Sequence, residues 1–138
     1  MSLFIGGSEY DLAGVGWTAV FGPRIDRVVL GPLAVQLAVP VYSYVPQFGD
    51  RITHLLPELS LLVSPRIGRV SPYLGLGPGW SFGVTGPSFV DALTLHAELG
   101  VTVGLMNSWE VRSELRARAI DPWGGGTTDI SGGIGYRF

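Results

Sequence analysis

Large aliphatic side chains recur at every second position along most of this chain. Between Leu30 and Tyr42 the odd positions are Leu33, Val35, Leu37, Val39 and Val41, and the even ones are Pro32, Ala34, Gln36, Ala38 and Pro40. Between Pro72 and Val84 one face reads Pro72, Leu74, Leu76, Pro78, Trp80, Phe82, Val84, and the other reads Tyr73, Gly75, Gly77, Gly79, Ser81, Gly83. From Leu93 to Leu105 an aliphatic set alternates with Thr94, His96, Glu98, Gly100, Thr102 and Gly104. The sharpest alternation lies in Trp109 to Ile120, where Trp109, Val111, Leu115, Ala117 and Ala119 interleave with Glu110, Arg112, Glu114, Arg116 and Arg118. A period of two is the signature of β-strands with chemically distinct faces.

Two uncharged stretches, Val28 to Gly49 and Val70 to Val90, exceed the roughly 20 residues of a spanning helix. Each contains three prolines, among them Pro32, Pro40, Pro72 and Pro78. An interior proline costs a helix about 3 kcal/mol, so these stretches are not helices. The alternation predicts eight strands at 2–8, 10–22, 28–41, 53–64, 70–84, 92–106, 109–120 and 128–138. Most reach the roughly 9–11 residues that a tilted strand needs to cross the hydrocarbon of a membrane. The first is short, as truncation would leave it. Links at Pro23–Arg27, Pro65–Arg69 and Asn107–Ser108 read as tight turns, and 43–52, 85–91 and 121–127 as longer loops. Pro57 and Pro78 fall inside strands, where each removes a ladder hydrogen bond and calls for a local bulge.

Composition decides which face points outward. The chain is 46% hydrophobic and 14% charged, and its nine basic residues are all arginine. About 25% charged residues is usual for a soluble domain. A soluble barrel would put the aliphatic face inside and expose mainly glycine, alanine, serine and proline, a poorly solvated surface. Inverted, the same pattern gives an apolar band against lipid and a glycine-lined interior that admits a few long polar side chains. The fold class is therefore all-β: one domain, residues 1–138, forming an eight-stranded antiparallel up-and-down transmembrane β-barrel. Phe21, Tyr73, Trp109, Tyr136 and Phe138 then fall near one interface, and Tyr10, Tyr42, Tyr44, Trp80 and Phe82 near the other. No basic n-region or adequate apolar segment precedes Glu9, so a leader peptide is absent from this sequence. The expectation is a mature domain headed by Met1.

The last strand, Asp129-Ile-Ser-Gly-Gly-Ile-Gly-Tyr-Arg-Phe138, resembles the C-terminal signal of outer-membrane barrels, with Ile134, Tyr136 and Phe138 as its apolar positions. Pro72-Tyr-Leu-Gly-Leu-Gly-Pro-Gly and Glu98-Leu-Gly-Val-Thr-Val-Gly-Leu resemble strands of the small eight-stranded OmpA- and OmpX-like barrel superfamily. The resemblance implies a place in the bacterial outer membrane, contact with its lipid, and recognition by the barrel-assembly machinery. It leaves activity open, because members include anchors, adhesion factors, narrow channels and lipid-modifying enzymes. Lipid A deacylases of this architecture carry a His-x-Ser motif. Here His54 precedes Leu55-Leu56 and His96 precedes Ala97-Glu98, so that motif does not transfer.

The expected inward charges are Glu58, His96, Glu98, Glu110, Arg112, Glu114, Arg116, Arg118, Asp129 and Arg137. Acids and arginines nearly balance, and buried charges need partners, so they read as a salt-bridge network within the lumen. A three-residue turn at Asn107–Trp109 sets Glu98 opposite Arg118; a turn moved by one residue sets it opposite Arg116. Thr94, His96 and Glu98 share a face, but neighbours two apart on a strand lie about 7 Å apart, too far for a dyad. Ser43, Ser88 and His54 sit near one rim, where loop serines are common. Asp50, His54, Asp91, Asp121 and Asp129 lack metal-ligand spacing, and Gly124–Gly126 lacks a phosphate-loop context. Cysteine is absent and the net charge is −2, which gives no basis for thiolate chemistry or nucleic-acid binding. The expected function is that of a non-enzymatic structural or interaction barrel with a side-chain-plugged lumen and no cofactor. It would meet partners, such as an envelope protein, through its outer loops or its lipid-facing wall; the alternatives are an outer-leaflet lipid-modifying enzyme and a narrow channel.

Overall fold

The computed structural model describes residues 1–10, 16–44, 51–85, 91–120 and 126–137. Ten strand segments follow one another: β1 (Ser2–Tyr10), β2 (Gly16–Leu30), β3 (Leu33–Ala38), β4 (Val41–Tyr44), β5 (Ile52–Leu55), β6 (Glu58–Val63), β7 (Val70–Thr85), β8 (Ala92–Gly104), β9 (Trp109–Ile120) and β10 (Gly126–Tyr136). β1 pairs antiparallel with both β2 and β10, which closes the sheet. β3 and β4 form one interrupted stave against β2, and β5 and β6 another against β7, giving a ring of eight.

The interruptions fall at prolines. Pro40 separates β3 from β4, and Pro57 separates β5 from β6. A proline has no N–H, but its carbonyl still accepts. Leu56 N donates to Pro40 O at 3.0 Å, and Trp80 N donates to Pro57 O at 3.1 Å. The wall thus stays hydrogen-bonded across both gaps. Pro78 remains within β7, outward and opposite Leu95.

Two boundaries differ from the sequence expectation: β1 runs nine residues to Tyr10 and is not short, so the first link is 11–15 rather than residue 9, and the end of β2 also moves. The first tight turn is Gly31–Pro32, not Pro23–Arg27, because β2 continues to Leu30. Pro23, Arg24, Asp26 and Arg27 have turn-like composition, yet the alternation persists through them. Phe21, Pro23 and Ile25 face out while Gly22 and Arg24 are buried. Gly31 at φ 55° adopts the left-handed conformation that glycine accepts at least cost. The strand ends that flank the longer links, Tyr10 and Gly16, Tyr44 and Ile52, Thr85 and Ala92, and Ile120 and Gly126, lie at the opposite end from the tight turns and from Met1 and Tyr136. The register settles the β8–β9 hairpin: Glu98 lies opposite Arg116 and His96 opposite Arg118.

The aliphatic face is the outer one. Ile5 is 69% exposed and Leu76 66%, whereas Arg24 is 2% and Arg116 1% exposed. Two tyrosines expected at the interfaces turn inward instead, Tyr42 and Tyr73, both buried. Trp109 and Tyr136 do sit outward at the turn end, in edge-to-face contact at 5.4 Å. Phe21 lies in mid-stave opposite Ile5 and Val41, because β2 is longer than expected. Of Tyr10 and Tyr44 only the backbone is described, and Phe138 lies outside the described residues.

Candidate functional site

Inward residues of β3, β6, β8 and β9 meet at Arg116, near mid-depth of the barrel. From β9, its guanidinium donates to Glu58 of β6 and Glu98 of β8. It also donates to Gln36 Oε1 of β3 at 2.8 Å and lies 2.9 Å from Glu114 Oε1 on its own strand. Residues two apart on a strand share a face, so Arg112, Glu114, Arg116 and Arg118 all enter the same interior.

Toward the long-link end, Arg118 donates to Glu58 and Asp129, and Asp129 accepts from Tyr42 at 2.6 Å. His96 lies beneath, its Nε2 2.7 Å from Ser60 Oγ and its Nδ1 3.7 Å from Glu58. Toward the turn end, Glu114 accepts from Arg24 at 2.9 Å and from Tyr73 at 2.6 Å. Arg112 donates to the Tyr73 hydroxyl at 2.6 Å and to Asp26 at 2.9 Å. Removed from water, a charge costs several kcal/mol unless it is paired with good geometry. Four buried arginines, Arg24, Arg112, Arg116 and Arg118, interlock with Glu58, Glu98, Glu114 and Asp129, and Asp26 adds a part-exposed acid.

Glycine makes room for this layer. A Cβ at Gly75 would overlap Leu62 and press on Glu98, and one at Gly100 would overlap the Tyr73 hydroxyl and the Ser113 carbonyl. Tyr73 pairs directly across the ladder with Gly100, so its ring reaches Glu114 over a bare backbone. On β7, Gly75 and Gly79 thus make room beside Glu98 and Glu58, whereas Gly77 lets the backbone of Leu59 approach.

The layer separates two cavities. On the turn side is an open vestibule of about 650 Å³, with Tyr73, Arg112 and Asp26 in its lining. On the other side is a narrow pocket lined by Thr18, Tyr42, His54, Leu56, Ser81, Ile120 and Thr127. There His54 Nδ1 lies 3.2 Å from Ser81 Oγ, and Ser81 itself is buried. Ser43 turns to other partners, its carbonyl accepting from Thr18 at 2.6 Å.

Eight of the ten expected lumen residues, Glu58, His96, Glu98, Arg112, Glu114, Arg116, Arg118 and Asp129, come together in this layer. Glu110 and Arg137 do not. They bridge each other at 3.1 Å at the turn end, where the Arg137 side chain is 46% exposed. Sequence reasoning missed Arg24, Asp26, Gln36, Ser60, Tyr42 and Tyr73. The continued alternation through β2 was the available signal for Arg24 and Asp26. Ile134 and Tyr136 alternate on the outward face of β10. Ser88, Asp50, Asp121, Gly124 and Gly125 lie outside the described residues, and Asp91 is exposed. Among the described residues, no three His, Cys, Asp or Glu side chains are grouped to hold a metal ion.

No protein-family model matches this sequence, and no curated protein does. Solved structures do match. Neisserial surface protein A is similar at 15% identity with a TM-score of 0.76, covering 99% of this chain and 95% of that one. Ail, the attachment invasion locus protein of Yersinia pestis, is similar at 17% identity with a TM-score of 0.70, covering 99% and 97%. The outer membrane enzyme PagL is similar at 14% identity with a TM-score of 0.59, covering 99% and 98%. At these identities the likeness is one of fold, and the fold is that of the small eight-stranded outer-membrane β-barrels.

Proposed function

We propose that this protein is a non-enzymatic structural or interaction barrel of the bacterial outer membrane, with its lumen plugged by side chains. The carrying observation is a balanced layer of buried arginines and acids enclosed by a continuous exposed aliphatic wall. Lipid tolerates such a wall and water does not. Short turns and both chain ends would face the periplasm, and the links at 11–15, 45–51, 86–91 and 121–125 would face outward to meet an envelope protein. Ile134, Tyr136 and Phe138 would carry the signal read by the barrel-assembly machinery.

A second reading, an outer-leaflet lipid hydrolase, draws on the His54–Ser81 contact and on the fold shared with PagL. Burial of Ser81 and the narrowness of its pocket favour the structural reading. The test is single-channel recording of the refolded barrel beside an acyl-release assay on outer-leaflet lipid. The structural reading expects neither conductance nor hydrolysis. Steady ion-selective current altered by Arg116→Ala would make it a channel, and acyl release lost in Ser81→Ala would make it an enzyme.

A further inference from the structure

On the outward wall at the turn end, a groove of about 630 Å³ crosses Gly104 between Arg69, Val103, Met106, Trp109 and Ile134. Its lining is apolar apart from Arg69, and Met106 is 75% exposed. The Arg69 carbonyl accepts from Gly104 N at 2.7 Å, which holds the link before β7 against the end of β8. Among the described residues, no ion pair holds the exposed Arg69 side chain.

Charge sorts along the barrel axis. Arg27, Arg66, Arg69 and Arg137 lie at the turn end, against Asp26 and Glu110. Among the described residues, the opposite end carries Glu9 and Asp91 against Arg51. A lone exposed arginine holds a free anion weakly in water. Beside an apolar groove at the depth of an aromatic pair, the same cation fits an anionic head group attached to a hydrocarbon chain.

We infer that this groove holds one anionic phospholipid of the adjacent leaflet, its phosphate on Arg69 and one acyl chain along Val103 and Ile134. The inference rests on the membrane placement proposed above. It is tested by native mass spectrometry of the refolded protein, released from micelles loaded with phosphatidylglycerol or with diacylglycerol of the same chains. One phosphatidylglycerol per chain is expected to survive release, and diacylglycerol is not. Arg69→Ala should weaken retention about ten-fold. Val103→Trp should fill the groove and abolish retention, whereas Arg27→Ala, a cation at the same end outside the groove, should leave it unchanged. Each variant is first checked for the heat-dependent gel shift of a folded barrel.

Equal retention of diacylglycerol, unweakened binding by Arg69→Ala, equal loss in Arg27→Ala, or a dimer in place of the lipid adduct would overturn the inference. A chain that is monodisperse in buffer without detergent would instead overturn the membrane placement itself.

Discussion

Arg116 links both halves of the charged layer, touching Glu58 on one side and Glu114 on the other. Its loss would leave the buried Glu98 without an arginine and strip one partner each from Glu58, which keeps Arg118, and Glu114, which keeps Arg24 and Arg112. Loss of Glu98 instead leaves Arg116 with Glu58, Glu114 and Gln36. Arg116→Ala is therefore expected to destabilise by about 3–5 kcal/mol, and Glu98→Ala by about 1–3 kcal/mol. In the Arg116→Ala background, Glu98→Ala should cost little or become favourable, because the second change removes an unpaired charge. Urea unfolding midpoints in detergent measure all three, and additive costs would show the two residues to be uncoupled. The acids and arginines of β8 and β9 were legible because strict alternation there assigns every charge to one face. Gln36, Tyr42 and Tyr73 were not, since an amide or a phenol on an inward face carries no charge balance to demand a partner. Tyr42 and Tyr73 also matched the composition of an interfacial belt. Only the third dimension brings Tyr42 to Asp129 and Tyr73 to Glu114.

At the level of elements, turns and prolines set the staves. In the β8–β9 hairpin, Asn107 and Ser108 have φ of 59° and 65°, and Trp109 N closes the turn on Met106 O at 3.4 Å. Asparagine tolerates the left-handed region through its short polar side chain, and serine does so less well. Ser108→Gly should stabilise the barrel by about 1 kcal/mol, read as a higher urea midpoint. No gain would mean that the turn relaxes freely in solution. The hairpin was legible in outline, but periodicity alone left its register open between two pairings of Glu98. The end of β2 was misread because turn residues were weighed above a pattern that ran on unbroken beneath them. Pro57 was correctly seen as a defect in a strand. Its resolution by a carbonyl that still accepts from Trp80 requires the neighbouring stave to be known.

For the whole molecule, the outward wall is the feature that couples fold to environment. Leu115 and Leu37 point outward on staves at different sides of the ring. If lipid surrounds both, Leu37→Arg and Leu115→Arg should each cost about 2–4 kcal/mol near the bilayer midplane. Folding titrations into vesicles measure this, and costs below about 1 kcal/mol at both sites would argue against burial in hydrocarbon. This wall was the most legible property of the sequence, because lipid exposure demands the same residue classes on every stave. Loop chemistry has no such repeat, so a partner could not be read from it.

The crossing of the lumen by Arg116 also bears on how the chain enters a bilayer. Its partners come from β3, β6 and β8, and those of Arg118 from β6 and β10, so no pair of adjacent strands satisfies the layer. A sheet inserted hairpin by hairpin would carry orphan charges into hydrocarbon, each at a cost of about 2.5–3.5 kcal/mol on insertion scales. Partial insertion is thereby penalised until opposite walls meet. On the membrane placement proposed above, the charged layer would act as a kinetic lock: entry would be concerted, with the seam between β1 and β10 closing as the charges find one another.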